Sequence, residues 1–455
     1  MSISSILSIF LQFFGSLCFL LFGMKMMSDG IQKSAGDKLQ AALHLMTGNR
    51  LTGFFTGCFL TMIIQSSGAT TVMVVSFVNA GLIELSKSIA VILGANVGTT
   101  ITAWIVAIFG FNFEISAFAI PLFGIGYLFT VIKKIRNPGL GQAIMGFGIL
   151  FIALQWLSST ISLNSGSMNF LPALQDKGIF SYLIAFVIGI IVTAMIHSSS
   201  AMTAIVITMA YNQILTWQFS AAIIIGSNVG STIDSVMASF GANANAKRTM
   251  FVHVLFNSVT AIVALIFIKP FTQLVDLIVP GTVTENITMH IAMLHSMFNI
   301  IGSVFFMPFV NPLCKLTHLI IKDDKASLPS IYKFEFPERA AHESPTIPVV
   351  SAQMEVRRMA DISVQMFDRL QYGLTDLSGR FVVDHYDNLV REEDYLDQMQ
   401  EQLTKYLLKC AQLDIDDKLR ENINVMISIT GELESMSDDC LSIGVYLKRI
   451  TEKSM

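Results

Sequence analysis

A polar motif occurs twice in this chain, 132 residues apart, each time inside an apolar run. Gln65-Ser66-Ser67-Gly68-Ala69 returns as His197-Ser198-Ser199-Ser200-Ala201. Gly94-Ala95-Asn96-Val97-Gly98-Thr99-Thr100 returns as Gly226-Ser227-Asn228-Val229-Gly230-Ser231-Thr232. The offset is constant, and 16 of the 44 positions from Gly57 to Thr100 match without a gap. One structural solution is therefore used twice. Polar clusters repeated in apolar surroundings predict two units that build a single central site in a membrane.

The apolar surroundings follow from composition: 53% of the 455 residues are hydrophobic and only 14% are charged, against about 25% charged in a soluble protein. The charge is also unevenly placed. Residues 1–320 are apolar runs with short polar connections, whereas 349–455 are dense in Asp, Glu, Lys and Arg. A linker over 321–348, with Pro329, Pro337, Pro345 and Pro348, separates the two; its prolines argue against one continuous helix. Cys18, Cys58, Cys314, Cys410 and Cys440 lack metal-ligand spacing and read as reduced packing residues. The first apolar stretch has no basic leader and reads as a retained span.

A crossing helix needs about 20 mainly apolar residues. Seven candidates fit: 7–27, 88–109, 115–132, 140–158, 219–239, 250–268 and 288–310. Two further apolar regions, 52–82 and 180–216, carry the Ser-rich motif in the middle. Broken backbone survives at membrane depth only inside protein or beside water. Both regions are therefore expected to be re-entrant hairpins with Ser at the tip; full crossings are the competing arrangement. Positive residues favour the cytoplasmic side. Seven crossings put Lys33, Lys38, Arg50, Lys87, Lys133, Lys134, Arg136, Lys247, Arg248 and Lys315 inside, and leave Lys177 and Lys269 outside with Glu114, Asp176, Asp276 and Glu285. The N-terminus is then outside and the C-terminal domain cytoplasmic. Each unit holds three crossings, which makes the units inverted: 7–132 and 140–268, with 288–310 as an extra helix. The expected fold class is an all-α polytopic membrane protein with an inverted repeat, followed by a helical bundle.

The motif chemistry suits an ion that is bound and released. Ser and Thr oxygens coordinate sodium, while their O–H groups, the Gln65 amide and backbone N–H groups donate to an oxyanion. A broken helix adds a positive dipole end at its tip. His197 stands where the first unit has Gln65, and Asp234 where it has Thr102. An intramembrane carboxylate is costly, which makes Asp234 a functional candidate for sodium or a proton. Ser, Gly and Ala also serve tight helix contacts, so a packing role stands beside the functional one at each single position. His253, His290 and His295 read as packing or hydrogen-bonding residues. No Gly-Lys-Ser/Thr loop or nucleophile–base pair is visible, which points away from an enzyme.

Together these motifs resemble the sodium/phosphate cotransporter family in its bacterial form with a C-terminal PhoU-like domain. Leu21-Phe22-Gly23-Met24-Lys25-Met26-Met27-Ser28-Asp29-Gly30 is similar to the family's first-helix segment. Gln65-Ser66-Ser67 and Asn96-Val97-Gly98-Thr99-Thr100 resemble its signatures, met again by His197-Ser198-Ser199-Ser200 and Asn228-Val229-Gly230-Ser231-Thr232. The resemblance implies sodium-driven symport of inorganic phosphate by alternating access. Gln65, Ser66, Ser67, His197, Ser198, Ser199 and Ser200 would bind phosphate. Asn96, Thr99, Thr100, Asn228, Ser231, Thr232 and Asp234 would bind sodium. This chain departs at Gly68, His197 and Ser231. A phosphate-selective channel and a membrane-bound phosphate sensor are the alternatives, and the direction of transport stays open.

Residues 349–455 read as helices, with Gly431 arguing against an uninterrupted last one. Ser351–Ala360 and Leu433–Asp438 resemble a PhoU domain, which implies metal binding through Glu-x-x-x-Asp. Glu393 with Asp397 and Glu434 with Asp438 fit that spacing, and residues four apart share a helix face. A divalent metal there, a regulatory role and homo-oligomer assembly through this domain are the resulting expectations. The same spacing is common on solvated helices. Basic and acidic residues are mixed, so no nucleic-acid footprint is present. The expected partners are phosphate, sodium and membrane lipid.

Overall fold

The computed structural model describes residues 3–45, 49–79, 83–111, 115–132, 135–163, 174–175, 177–322, 332–334, 336, 345–375 and 380–454. Glu114, Lys133, Lys134, Asp176, Pro329 and Pro337 lie outside them. The described residues are helical and contain no strand. The chain divides into two compact units, changing over between Lys322 and Asp323.

The N-terminal unit contains fifteen described α-helices of five residues or more. They are α1 (Ile3–Leu45), α2 (Arg50–Ile64), α3 (Ser67–Asn79), α4 (Leu85–Gly98), α5 (Ile101–Phe109), α6 (Ile115–Val131), α7 (Pro138–Leu163), α8 (Ile179–Ile196), α9 (Ser199–Tyr211), α10 (Trp217–Gly230), α11 (Ile233–Ala238), α12 (Ala244–Ile266), α13 (Ile268–Ile278), α14 (Val283–Phe306) and α15 (Val310–Ile320). Among the described residues, seven stretches are long and apolar enough to cross a membrane. The number matches the expectation but the set differs. Ile179–Ile196 qualifies with 18 residues, while Phe118–Val131 falls among the shorter apolar helices. Length and hydropathy cannot separate a long hairpin arm from a span. The spans expected at 88–109 and 219–239 are each two helices, broken after Gly98 and after Gly230.

Close backbone contacts fix the chain direction. A methyl group added to Gly57 would strike Val91 and Ala95; on Gly94 it would strike Phe54 and Cys58; on Gly98, Cys58 and Thr61. Both helices advance together, so α2 and α4 are parallel. The intervening α3 must therefore run back, and 50–79 is a hairpin. Its tip is tied by a Thr61–Thr70 hydroxyl bond of 3.1 Å. The second unit repeats this register: Gly189 against Ile223 and Ser227, Gly226 against Phe186, Gly230 against Ile190 and Thr193. The returning arms α3 and α9 have 13 residues each, about 20 Å, too short for a hydrocarbon core of about 30 Å.

The first helices of the two units also meet. Gly23 lies against Leu150, Gly30 against Ala143 and Gly146 against Met27. One number rises as the other falls, so α1 and α7 are antiparallel, as opposite orientation of the two units requires. The helix expected to be extra is central: α14 packs against α4, α5, α9 and α10. Its His295-Ser-Met-Phe-Asn299 segment is similar to His253-Val-Leu-Phe-Asn257, and the two share a local hydrogen bond. Asn257 Nδ2 donates to the His253 carbonyl at 3.0 Å, and Asn299 Nδ2 to that of His295 at 2.9 Å. Arg248, counted above as a loop charge, is instead fully buried and donates to the Ile321 carbonyl.

The C-terminal unit packs α16 (Thr346–Thr375), α18 (Tyr386–Ala411) and α19 (Asp417–Ser454) together, with the short α17 (Arg380–Asp384) beside them. Gly431 does not interrupt α19. Met359, Met366, Leu396, Met399, Leu403, Leu407 and Ile423 form the core. Arg369 clamps the buried Glu392 carboxylate through Nε and an Nη at 2.9–3.1 Å.

Candidate phosphate and cation site

Each hairpin tip is a helix that ends in a left-handed residue and restarts at once. Gln65 has φ 56° and His197 φ 59°. Neither is Gly, so each position carries strain of about 1–2 kcal/mol. A side chain is retained because it makes a bond. Thr102 Oγ1 donates to Gln65 Oε1 at 2.8 Å, and His197 Nδ1 meets Asp234 Oδ1 at 2.8 Å. Both pairs are 37 residues apart. The same contact is thus built twice, once from neutral groups and once from an imidazole and a carboxylate.

The next residue starts the returning arm. Ser66 Oγ accepts from Ala69 N at 3.1 Å, and Ser198 Oγ from Ala201 N at 3.2 Å. These are N-caps, so Ser66 and Ser198 hold the tip in shape as well as facing it. Ser67 and Ser199 are buried residues, and their hydroxyls make no hydrogen bond among the described residues. The first amides of α3 and α9 also lack intrahelical acceptors. Each tip therefore offers donors with no competing partner within its own helix.

The broken helices offer the complement. Thr99 and Thr100 hydroxyls donate to Ala95 and Val97 carbonyls, and Ser231 and Thr232 to Asn228 and Val229 carbonyls, at 2.8–3.1 Å. With the proton committed to the backbone, the oxygen lone pairs remain for a cation. The amides of Thr100 and Thr232 step back to Val97 and Val229, which withdraws the helical donor from the Asn96 and Asn228 carbonyls. Among the described residues, Asn96 Nδ2 is buried without a partner, whereas Asn228 Oδ1 accepts from Asn299 at 3.3 Å.

The two units cross at this point. Ser200 of the second tip bonds Thr102 of the first unit at 3.4 Å. Gly68 of the first tip lies against Asp234 of the second: an added methyl would stand 3.1 Å from its Cγ and nearer still to Oδ2. Each tip thus touches the other unit's broken helix.

The sequence profile of the family described as Na+/Pi-cotransporter matches residues 19–159 and 169–279, more than half of the chain and both copies of each motif. The chain belongs to this family. Among its relatives, "Uncharacterized protein YqeW" of Bacillus subtilis is 31% identical over 60% of this chain and 87% of its own length. "Putative inorganic phosphate export protein YjbB" of Salmonella typhimurium is 26% identical over 79% of this chain, which spans 64% of that protein. "Sodium-dependent phosphate transport protein 2A" of Ovis aries is 40% identical over 76 residues, 17% of this chain and 12% of its own length. No solved structure matches.

For a Na+/Pi-cotransporter family member, sequence alone missed Gln65–Thr102, Ser200–Thr102 and Asn228–Asn299, along with Trp104 Nε1 donating to Ser296 Oγ at 2.8 Å. The Gln65–Thr102 pair left a signal: its two positions change together between the copies, to His197 and Asp234. In the C-terminal unit, Glu393, Asp397 and Asp438 come together, with ligand atoms within 4.8 Å. Partial burial, then repulsion from neighbouring acids, pushes the Glu393 and Asp397 carboxyls above their ordinary values. Glu434 is not in the cluster; it sits one turn before Asp438 and accepts from Ser435 at 3.4 Å.

Proposed function

We propose that this protein is a secondary transporter that couples inorganic phosphate movement to sodium across the cell membrane. The observation that carries the reading is the crossing of the tips: Ser200 of the second tip bonds Thr102 of the first unit, and Gly68 of the first tip lies against Asp234 of the second. Phosphate would take the Ser67 and Ser199 hydroxyls and the first amides of α3 and α9. Sodium would take the lone pairs of Thr99, Thr100, Ser231 and Thr232 with the Asn96 and Asn228 oxygens. The antiparallel α1–α7 pair supports an inverted repeat and hence alternating access. Exposed Phe10, Phe14, Phe55 and Ile266 suit lipid contact. Loop charges support an outside N-terminus and a cytoplasmic C-terminal unit.

The names of the relatives include both export and sodium dependence, so net direction follows the gradients the cell supplies. The Glu393–Asp397–Asp438 oxygens fit a hard divalent cation, and a bound ion there would make the C-terminal unit a regulatory module. Equilibrium binding of radiolabelled phosphate to the purified protein tests the primary site. We expect binding that requires sodium. Removing one hydroxyl to a charged ligand costs about 1.5–3 kcal/mol, so Ser67→Ala or Ser199→Ala should weaken it by about tenfold or more. Unchanged affinity in both variants, correctly folded, would remove the tips from the site.

A further inference from the structure

The three departures from internal symmetry at the tips are one departure. Where the second tip has Ser200, the first has Gly68; where the first unit has Thr102, the second has Asp234; where the first has Gln65, the second has His197. The structure shows why they travel together. Ser200 and Thr102 fit one another as two hydroxyls at 3.4 Å. At the related place, the larger Asp234 carboxylate fills the space a serine side chain at 68 would need. His197 Nδ1, 2.8 Å from Asp234 Oδ1, orients that carboxylate, as Thr102 and Gln65 orient each other in the neutral copy.

We propose that this compensated exchange gives the two tips opposite tasks. Asp234 is 6% exposed, and its carboxylate stands against the first turn of α3. It supplies the first tip with a built-in anion, so this pole of the centre receives the sodium ion, while the Ser67 hydroxyl still reaches the phosphate held between the tips. The second tip, where Ser200 meets the neutral Thr102, carries no such carboxylate and receives the oxyanion. Gly68 is the notch that admits Asp234, and His197 is a positioning residue for it. The assignment rests on the phosphate–sodium reading above and sharpens it by dividing the site into a cation pole and an anion pole.

Thermal unfolding of the full-length protein in detergent, in sodium against choline chloride and without phosphate, tests the cation pole alone. Wild type should be stabilised by sodium. Gly68→Ser should unfold at lower temperature, because its hydroxymethyl group meets Asp234. Gly68→Ser/Asp234→Thr copies the Ser200–Thr102 pair, so it should regain the midpoint in choline but lose the sodium shift. Because phosphate binding requires sodium, its phosphate affinity should fall together with the lost sodium shift. His197→Gln should weaken the sodium shift and leave the choline midpoint in place. A Gly68→Ser protein as stable as wild type, or a double variant that keeps the full sodium shift, would overturn the proposal. An absence of phosphate binding in wild type would defeat the transport reading separately, since the sodium shift needs no phosphate.

Discussion

The parallel α2–α4 and α8–α10 contacts lead to a paired prediction. Gly94 and Gly226 occupy equivalent places, and each lets its helix touch the backbone of a hairpin arm. A methyl on Gly94 would lie 2.8 Å from the Phe54 carbonyl carbon and 3.0 Å from Cys58 N; on Gly226 it would lie 2.9 Å from the Phe186 carbonyl carbon. Carbon atoms settle at about 3.5–4.0 Å, so the helices must part by about 1 Å. The obstacle is backbone, so no rotamer change relieves it. Overpacking of this kind costs about 1–3 kcal/mol. It also displaces the arm that carries Gln65 or His197. Gly94→Ala and Gly226→Ala should therefore lower the thermal midpoint in detergent by similar amounts and impair phosphate binding. Gly124→Ala, with nothing within 4 Å, serves as the control and should unfold at no lower a temperature than wild type. A Gly94→Ala or Gly226→Ala protein indistinguishable from that control would refute the parallel packing.

Three further outcomes concern the C-terminal unit. Gly431 lies inside α19 with nothing within 4 Å of an added methyl, so Gly431→Ala should stabilise the unit by about 0.5–1 kcal/mol in chemical denaturation. Glu392→Ala leaves Arg369 without its carboxylate and should cost about 3 kcal/mol by the same assay, at the low end for a buried pair because Arg369 is 27% exposed. Glu393 and Asp397 have carboxyls raised in the fold. Their contribution to stability is therefore greatest when protonated and is lost as pH rises from the ordinary carboxylate range through the raised values. Glu393→Gln/Asp397→Asn should flatten that slope in pH-dependent denaturation. The same substitutions should abolish any stabilisation by added magnesium or manganese.

Much of the architecture was legible because two periodic signals reinforced each other. The gap-free repeat located both tips, and Ser at membrane depth marked them as candidates; the breaks after Gly98 and Gly230 fall inside runs that read as single spans. Two kinds of information were missing. Hydropathy does not separate Ile179–Ile196 from Ile115–Val131, because an apolar run has the same composition in a hairpin arm and in a crossing. Contacts between units leave no periodic trace: nothing in the order of residues says that Ser200 meets Thr102 or that α14 touches both units. The same gap explains Arg248, which reads as a topological charge and is consumed as a buried link to Ile321. Glu434 shows the limit of spacing rules, since an i,i+4 pair fixes a shared face but not which turn of that face meets α18.

The central claim is that crossed tips and broken helices form one sodium-coupled phosphate site. Radiolabelled phosphate flux in proteoliposomes under an imposed sodium gradient tests it most directly. The account predicts phosphate accumulation above equilibrium with inward sodium, none with choline, and its loss in Ser67→Ala and Ser199→Ala. Phosphate flux that ignores both sodium and proton gradients would contradict it.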